Sequence, residues 1–283
     1  MTSPAPRRNR VCKRAVVRRT ERITPHMIRV VLTSDDFVDN DFTDHYVKLL
    51  ICKDGVEYPE PLDLGVVRET YPAEHWPTMR TYTVRSWDAE SRELAIDFVH
   101  HGDEGVAGPW AAAAQPGDVL WFNGPGGGYA PDEAADWHLL VGDESALPAI
   151  SSAVERLAPG ARATVLVEVE DDTEEQKFGG SGDLDVTWFH RSGAPGQPGE
   201  RRERGDDLVA AVESLDFPDG TPHVFVHGEA GFVFRIRKNL FQDRALPRDR
   251  VSLSGYWRLG KNEDGWQAEK AESRKQSEAA ASS

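Results

Sequence analysis

The stretch Arg80-Thr81-Tyr82-Thr83-Val84-Arg85 concentrates reactive side chains in six residues. On an extended chain, Arg80, Tyr82 and Val84 point one way and Thr81, Thr83 and Arg85 the other. One element thus offers a planar ring, hydroxyls and two guanidinium groups. A flavin with a diphosphate tail needs such parts: a stacking surface, a hydrogen bond near N5, and cations for the pyrophosphate. An exposed strand that alternates aromatic and charged residues would carry the same letters, so this segment alone leaves both readings open.

Four further segments could hold a ligand. His100-His101-Gly102, followed by Gly105, Val106, Ala107, Gly108 and Trp110, places three glycines before a short helix, leaving backbone N–H groups for phosphate. Adjacent histidines on an extended chain face opposite sides, which makes His100 and His101 a poor metal pair. Gly142-Asp143-Glu144-Ser145 follows a hydrophobic run and precedes Pro148. That is the strand–turn–helix position where a doubly wound sheet binds a dinucleotide, although no G-x-G-x-x-G is present. Asp143 and Glu144 would suit ribose hydroxyls or a carboxamide better than phosphate, or could cap the helix. His227-Gly228-Glu229 repeats the strand-end pattern. The run from Ser254 to Lys261 closes the chain's last strand with Tyr256, Trp257, Arg258 and Lys261, either as a site or as an aromatic corner with solvated cations.

The elements that must position these residues change in texture along the chain. In the first half, short β-rich runs at 29–32, 46–51, 93–99 and 119–122 are separated by turn residues, which predicts a barrel or sandwich. One helical piece is expected near 109–114. The alternation of Val11, Ala15 and Val17 with Arg and Lys predicts a solvated edge strand. The glycine cluster at 124–128 and the polar stretch 132–136 mark a junction. Beyond it, strands at 138–141, 163–169, 186–190, 223–226 and 251–254 alternate with helices at 146–157, 206–215 and 231–241. That alternation implies a parallel sheet with ligands at the carboxyl ends of its strands. The expected fold class is an N-terminal antiparallel β-barrel (1–130) followed by a parallel-sheet α/β domain (131–266), with a polar helical or disordered tail (267–283).

Composition narrows the partners. The 283 residues carry a net charge of −15, which disfavours nucleic acid and anionic lipid despite eight Arg/Lys within residues 7–22. No apolar run reaches membrane-spanning length, and the N-terminus lacks a secretory core. Two cysteines, Cys12 and Cys52, make neither a metal cluster nor a disulfide scaffold. The expectation is a cytoplasmic, monomeric protein with no metal site of its own.

Together and in this order, the segments resemble the siderophore-interacting proteins, FAD-dependent ferric-siderophore reductases of the ferredoxin–NADP reductase superfamily. The resemblance spans 11–266 and rests on the run 45–50, Arg80 to Arg85, His101-Gly102 with Gly108-Pro109, 136–150, 227–231 and 255–260. It implies a flavin-binding barrel and a nicotinamide-nucleotide domain. It also implies that Arg80, Thr81, Tyr82 and Thr83 hold FAD, with Tyr82 stacking on the ring and Thr83 reaching N5 as the residues nearest the chemistry. His100, His101, Gly102, Gly105, Val106, Ala107, Gly108 and Trp110 would hold the rest of the FAD. Gly142, Asp143, Glu144 and Ser145 would flank NADH or NADPH together with His227, Gly228 and Glu229. Lys48, Arg258 and Lys261 would form the basic cluster for a ferric siderophore of anionic catecholate or mixed type. Gly124-Pro125-Gly126-Gly127-Gly128 departs from the family pattern, in which an Arg and a Ser stand among the glycines.

The nicotinamide donor is read from two opposed signals. Glu168, Glu170, Asp171 and Asp172, ending the second α/β strand, favour ribose hydroxyls over a 2′-phosphate, whereas Arg191 after the next strand favours the phosphate. The carboxylates tilt the expectation to NADH. The alternatives are a flavin reductase with another acceptor and a siderophore carrier without redox activity.

Overall fold

Residues 11–192, 203–261 and 265–266 are described by the computed structural model. The chain divides into two units, Met1–Gly127 and Gly128–Ser283.

In the first unit, β-branched and aromatic residues alternate with charged ones, and the strands curl until their apolar faces meet. The strands are β1 (Lys13–Thr24), β2 (Met27–Thr33), β3 (Tyr46–Ile51), β4 (Thr78–Asp88), β5 (Glu93–Val99) and β6 (Val119–Gly126). They form a closed antiparallel barrel in the order β1-β2-β5-β4-β3-β6. Val17, Val30, Leu32, Val47, Leu49, Val84, Ile96 and Phe98 fill its interior. β1 is therefore not the edge strand expected from its charge alternation. Lys13 to Val16 pair with β6 and Val16 to Thr24 with β2, so this strand closes the barrel, which removes the edge altogether. Residues 1–10, which hold part of the basic run, lie outside the described residues.

Among the described residues, two α-helices accompany the barrel where one helical piece was expected. α1 (Leu64–Thr70) starts at Asp63, whose carboxylate accepts from the backbone N–H of Gly65 at 2.7 Å and Val66 at 3.2 Å. It buries Val67 against Cys12, Leu50, Leu62 and Trp121, a second small core. α2 (Ala107–Ala113) packs Ala107 and Ala111 into the barrel core. The first part of the glycine cluster expected at the junction is strand, because β6 continues through Gly126. A Cβ on Gly126 would lie 2.4 Å from the tip of the Tyr46 ring, which packs over β6 at this glycine and would have to move for a larger residue.

The second unit is a parallel sheet of β7 (Trp137–Asp143), β8 (Arg162–Val169), β9 (Asp183–His190), β10 (Pro222–Glu229) and β11 (Val251–Trp257), ordered β11-β10-β7-β8-β9. Central β7 is buried along its whole length, as both faces of such a sheet require. α3 (Leu147–Glu155) covers one face. α4 (Asp206–Ser214) and α5 (Ala230–Lys238) cover the other. The last helix was expected to run to 241, but its α-helical bonding stops at Lys238 and a π-helical turn, Asn239–Asp243, follows. The strand order reverses between β7 and β10, so their carboxyl ends flank the crevice where such sheets bind ligands. The tail over 267–283 lies outside the described residues.

Candidate functional site

Within the barrel unit, the strand register brings two sequence-selected segments together. β4 and β5 pair from Asp88 opposite Glu93 to Val84 opposite Ile96, which leads Tyr82 toward Phe98. The Tyr82 and Phe98 rings lie 4.5 Å apart, and Phe98 lies 5.7 Å from Trp110 on α2. Tyr82 of β4 and Trp110 of α2 thus both pack against Phe98.

Their side chains differ in availability. Half-buried Tyr82 leans on the barrel core through Phe98. Arg80 is half-buried, donates to the carbonyl of Met79 at 2.7 Å, and pairs with no carboxylate among the described residues. Thr83 is buried opposite Tyr46 of β3, and its hydroxyl has no hydrogen-bond partner among the described residues. Thr81 is exposed. The backbone N–H of His100 donates to His26, and the rings of His26 and exposed His101 lie 6.0 Å apart. Gly102 and Gly105 both take positive φ and have open space where a Cβ would stand. Val106 provides no side-chain cap for α2. A cation without a carboxylate, an unused hydroxyl and an open glycine turn suit a diphosphate-bearing flavin, so the residues present fit FAD.

Within the second unit, Asp143 ties the carboxyl ends of β7, β10 and β11 together. Its Oδ1 accepts from the backbone N–H of Ser145 at 3.0 Å and from Ser145 Oγ at 2.5 Å. Its Oδ2 accepts from the backbone N–H of Glu229 at 2.9 Å and from Trp257 Nε1 at 2.8 Å. Burial first, and the neighbouring Glu144 second, raise its pKa against the pull of these four donors. The turn is tight because a Cβ on Gly142 would stand 2.9 Å from the His227 carbonyl. Glu229 opens α5, accepting from Gly231 and Phe232 N–H, while its other oxygen accepts from Leu259 N–H at 3.2 Å. His227 Nε2 lies 2.9 Å from Ser252 Oγ. The segments 142–145 and 227–229 therefore meet, and Asp143 and Glu229 bind backbone within the crevice walls.

Glu144 turns elsewhere. It joins Arg191, whose side chain is 1% exposed, in a bidentate pair. The same guanidinium donates to Glu168 at 3.3 Å and Glu170 at 3.2 Å. Burial opposes the Arg191 charge, but the bonds and charges of the three carboxylates outweigh it and raise its pKa. Burial raises the Glu168 pKa, while Gly205 N–H, donating at 2.7 Å, and Arg191 pull it down. Arg191, weighed from the sequence as a partner for phosphate, has its donors occupied by carboxylates. The sequence reading missed Arg204, which stacks on the Trp257 ring at 5.3 Å and approaches Glu144 to 3.8 Å. Its neighbour Gly205, between a charged run and a helix, was the only local sign.

The basic residues selected for substrate fall in different elements. Lys48 is exposed on β3 and has no partner among the described residues. Arg258 and Lys261 follow β11, where Lys261 N–H donates to the Arg258 carbonyl. Among the described residues no group of three His, Cys, Asp or Glu side chains could hold a metal, and no helix is long and apolar enough to cross a membrane.

Comparison with known proteins follows the same division. Residues 16–129 match the siderophore-interacting FAD-binding domain and residues 135–260 match siderophore-interacting protein. The ferric vibriobactin reductase ViuB of Vibrio cholerae is 34% identical over 257 residues, covering 89% of this chain and 91% of that protein. The NADPH-dependent ferric-chelate reductase of Escherichia coli is 30% identical over 249 residues, covering 85% and 91%. The crystal structure of a siderophore utilization protein from T. fusca superimposes with a TM-score of 0.74 at 37% identity, covering 89% of this chain and 94% of that one.

Proposed function

We propose that this chain, which belongs to the siderophore-interacting protein family, is a ferric-siderophore reductase that takes electrons from NAD(P)H and delivers them to siderophore-bound Fe(III). It is an FAD-dependent oxidoreductase. The observation that carries the reading is Arg80. On a chain of net charge −15, it keeps a half-buried guanidinium with no carboxylate partner among the described residues.

The residues take roles that their chemistry allows. Arg80 neutralises the diphosphate and the loop from His100 to Trp110 lends it backbone N–H groups. Tyr82 presents a ring for stacking, exposed Thr81 precedes it in the strand, and Thr83 offers a hydroxyl for a ring nitrogen. Bound FAD supplies the conversion from two-electron to one-electron chemistry. In the second unit, Gly142 to Ser145 and His227 to Glu229 border the nicotinamide nucleotide at the crevice between β7 and β10. Lys48 in the first unit, and Arg258 and Lys261 in the second, each supply positive charge that attracts an anionic ferric siderophore of catecholate or mixed type, which the protein's overall field would otherwise repel.

The reaction balances without an iron ligand from the protein. One nicotinamide nucleotide yields two electrons and one proton, so two Fe(III) complexes become Fe(II) for each nucleotide oxidised. Hard oxygen donors hold Fe(II) less tightly than Fe(III), and the metal is released. The chain acts as a monomer in the cytoplasm, where its two cysteines, neither in a disulfide, stay reduced. The intact Arg80-x-Tyr82-Thr83 set favours this reading over a redox-inactive carrier.

The test is the visible spectrum of the purified protein, identification of any released chromophore, and reduction of a ferric tris-catecholate followed with an Fe(II) chelator. Released FAD and chelated Fe(II) formed in a 2:1 ratio to nucleotide are expected. A colourless protein that fails to take up FAD would overturn the reading.

A further inference from the structure

On β3, Val47 and Leu49 fill the barrel interior, so Tyr46 and Lys48 lie on its outer face. The register sets Tyr46 between Thr83 of β4 and Gly126 of β6, and residues opposite each other on antiparallel strands share a face. Resting on the reductase reading above, we propose that Phe42 and Tyr46, seated on Gly127 and Gly126 beside Lys48, form an aromatic shelf. The shelf stacks a catecholate ring of the ferric siderophore and so selects aryl complexes over hydroxamate ones.

The glycines make room for the rings. A Cβ on Gly126 would stand 2.4 Å from Cζ of Tyr46, and one on Gly127 would stand 2.8 Å from Cβ and 2.9 Å from Cδ2 of Phe42. The run that departs from the family pattern thus gives up side chains of its own and seats two aromatic residues instead. Both rings are available. Phe42 is 38% exposed and Tyr46 is half-buried, and among the described residues neither ring has an aromatic or cationic partner. The Tyr46 hydroxyl likewise has no hydrogen-bond partner among the described residues. Thr83, opposite Tyr46, is only 6% exposed, yet its hydroxyl is unspent among the described residues. That is the hydroxyl assigned above to a ring nitrogen of FAD, so the shelf lies one strand from it. Exposed Lys48 stands two residues along the same face. A catecholate is a planar, electron-rich anion, which suits offset stacking on an aromatic ring with a cation near its oxygens. A hydroxamate offers the oxygens without the ring.

The FAD-loaded full chain is titrated by calorimetry with gallium(III) tris-catecholate, a redox-inert copy of the ferric complex. Values of kcat and KM are measured with a ferric tris-catecholate and a ferric tris-hydroxamate. Phe42→Leu and Tyr46→Leu keep apolar bulk and remove the ring. Each should weaken gallium-complex binding and raise the catecholate KM about 2–10-fold, with a smaller rise for the hydroxamate, so that the preference for catecholate falls. Tyr46→Phe keeps the ring and should stay within about twofold of the wild type. Gly126→Ala, which pushes the Tyr46 ring aside without removing it, should act like Tyr46→Leu. Equal losses with both complexes, or no loss with either, would overturn the proposal alone. Weaker FAD binding with an unchanged catecholate KM would give the shelf to the adenine of FAD and overturn it as well. A wild-type protein that takes up FAD but reduces neither ferric complex would overturn the reductase reading and the proposal with it.

Discussion

Asp143→Asn keeps shape and volume but changes one oxygen into an amide donor, at a site where every neighbour also donates. In the wild-type protein Oδ1 serves Ser145 N–H and Oγ–H, and Oδ2 serves Glu229 N–H and Trp257 Nε1–H. The least disruptive Asn rotamer turns its NH2 toward Ser145, whose hydroxyl can reverse and accept, so that only the Ser145 N–H bond is lost. The other rotamer loses two bonds. Hydrogen bonds to a charged acceptor contribute about 1.5–3 kcal/mol each, and relief of the buried charge offsets part of the loss. The net destabilisation should be about 2–3 kcal/mol. For a unit of this size that lowers the calorimetric midpoint by about 5–10 °C. The pH dependence has a defined sign. Because the folded-state pKa is raised above the ordinary 3.8, the native state binds the proton more readily, and this group adds stability as pH falls from its raised value toward 3.8. The gap between wild type and Asp143→Asn should therefore widen in acid. Scanning calorimetry at pH 7 and near pH 5 checks both points. A variant whose second-unit transition is unchanged or higher at pH 7 would refute the claim that four donors hold this carboxylate.

Other outcomes follow from the same geometry. Arg191→Met, which leaves Glu144 and Glu168 buried without their cation, should destabilise the second unit by about 3–5 kcal/mol, read by the same calorimetry. His138, 2% exposed, has its pKa lowered to about 4, by burial first and then by His223. The unfolded chain thus binds the extra proton between about 6.5 and 4, and stability falls across that window by up to about 3 kcal/mol. His138→Leu, at a site whose Nδ1 has no partner among the described residues, should flatten that slope in denaturation measured between pH 7 and pH 4. Arg80→Ala should weaken FAD binding about 10–100-fold in a flavin-fluorescence titration. Lys48→Ala and Lys261→Glu should each raise the apparent KM for an anionic ferric siderophore, more at low salt, with flavin content unchanged.

Local pattern carried most of the fold, and long-range closure carried what local pattern missed. The runs 46–51 and 93–99 are strands with the bounds their alternation and flanking turns imply. β1 looked like an edge because alternation reports only which face is apolar. Its second neighbour, β6, lies about a hundred residues away and is invisible to any local window. α1 escaped notice because seven residues containing two valines have weak helical signal, and only Asp63 marked its start. At the site, the strand-end segments 142–145 and 227–229 were legible from glycine turns between hydrophobic runs and helix starts. What those side chains do was less so. Asp143 proved to be a brace, and the partners of Arg191 lie 21 to 47 residues from it in sequence, beyond the reach of spacing rules.

The reductase assignment is tested most directly by one anaerobic cycle. NADH is added to the FAD-loaded protein, the flavin band near ~450 nm is recorded, and ferric tris-catecholate is then titrated in. The band should bleach with NADH and return fully after two ferric complexes per nucleotide, with Fe(II) appearing in the same amount. A band that bleaches but does not return on adding the ferric complex would contradict the assignment and give the electrons another acceptor.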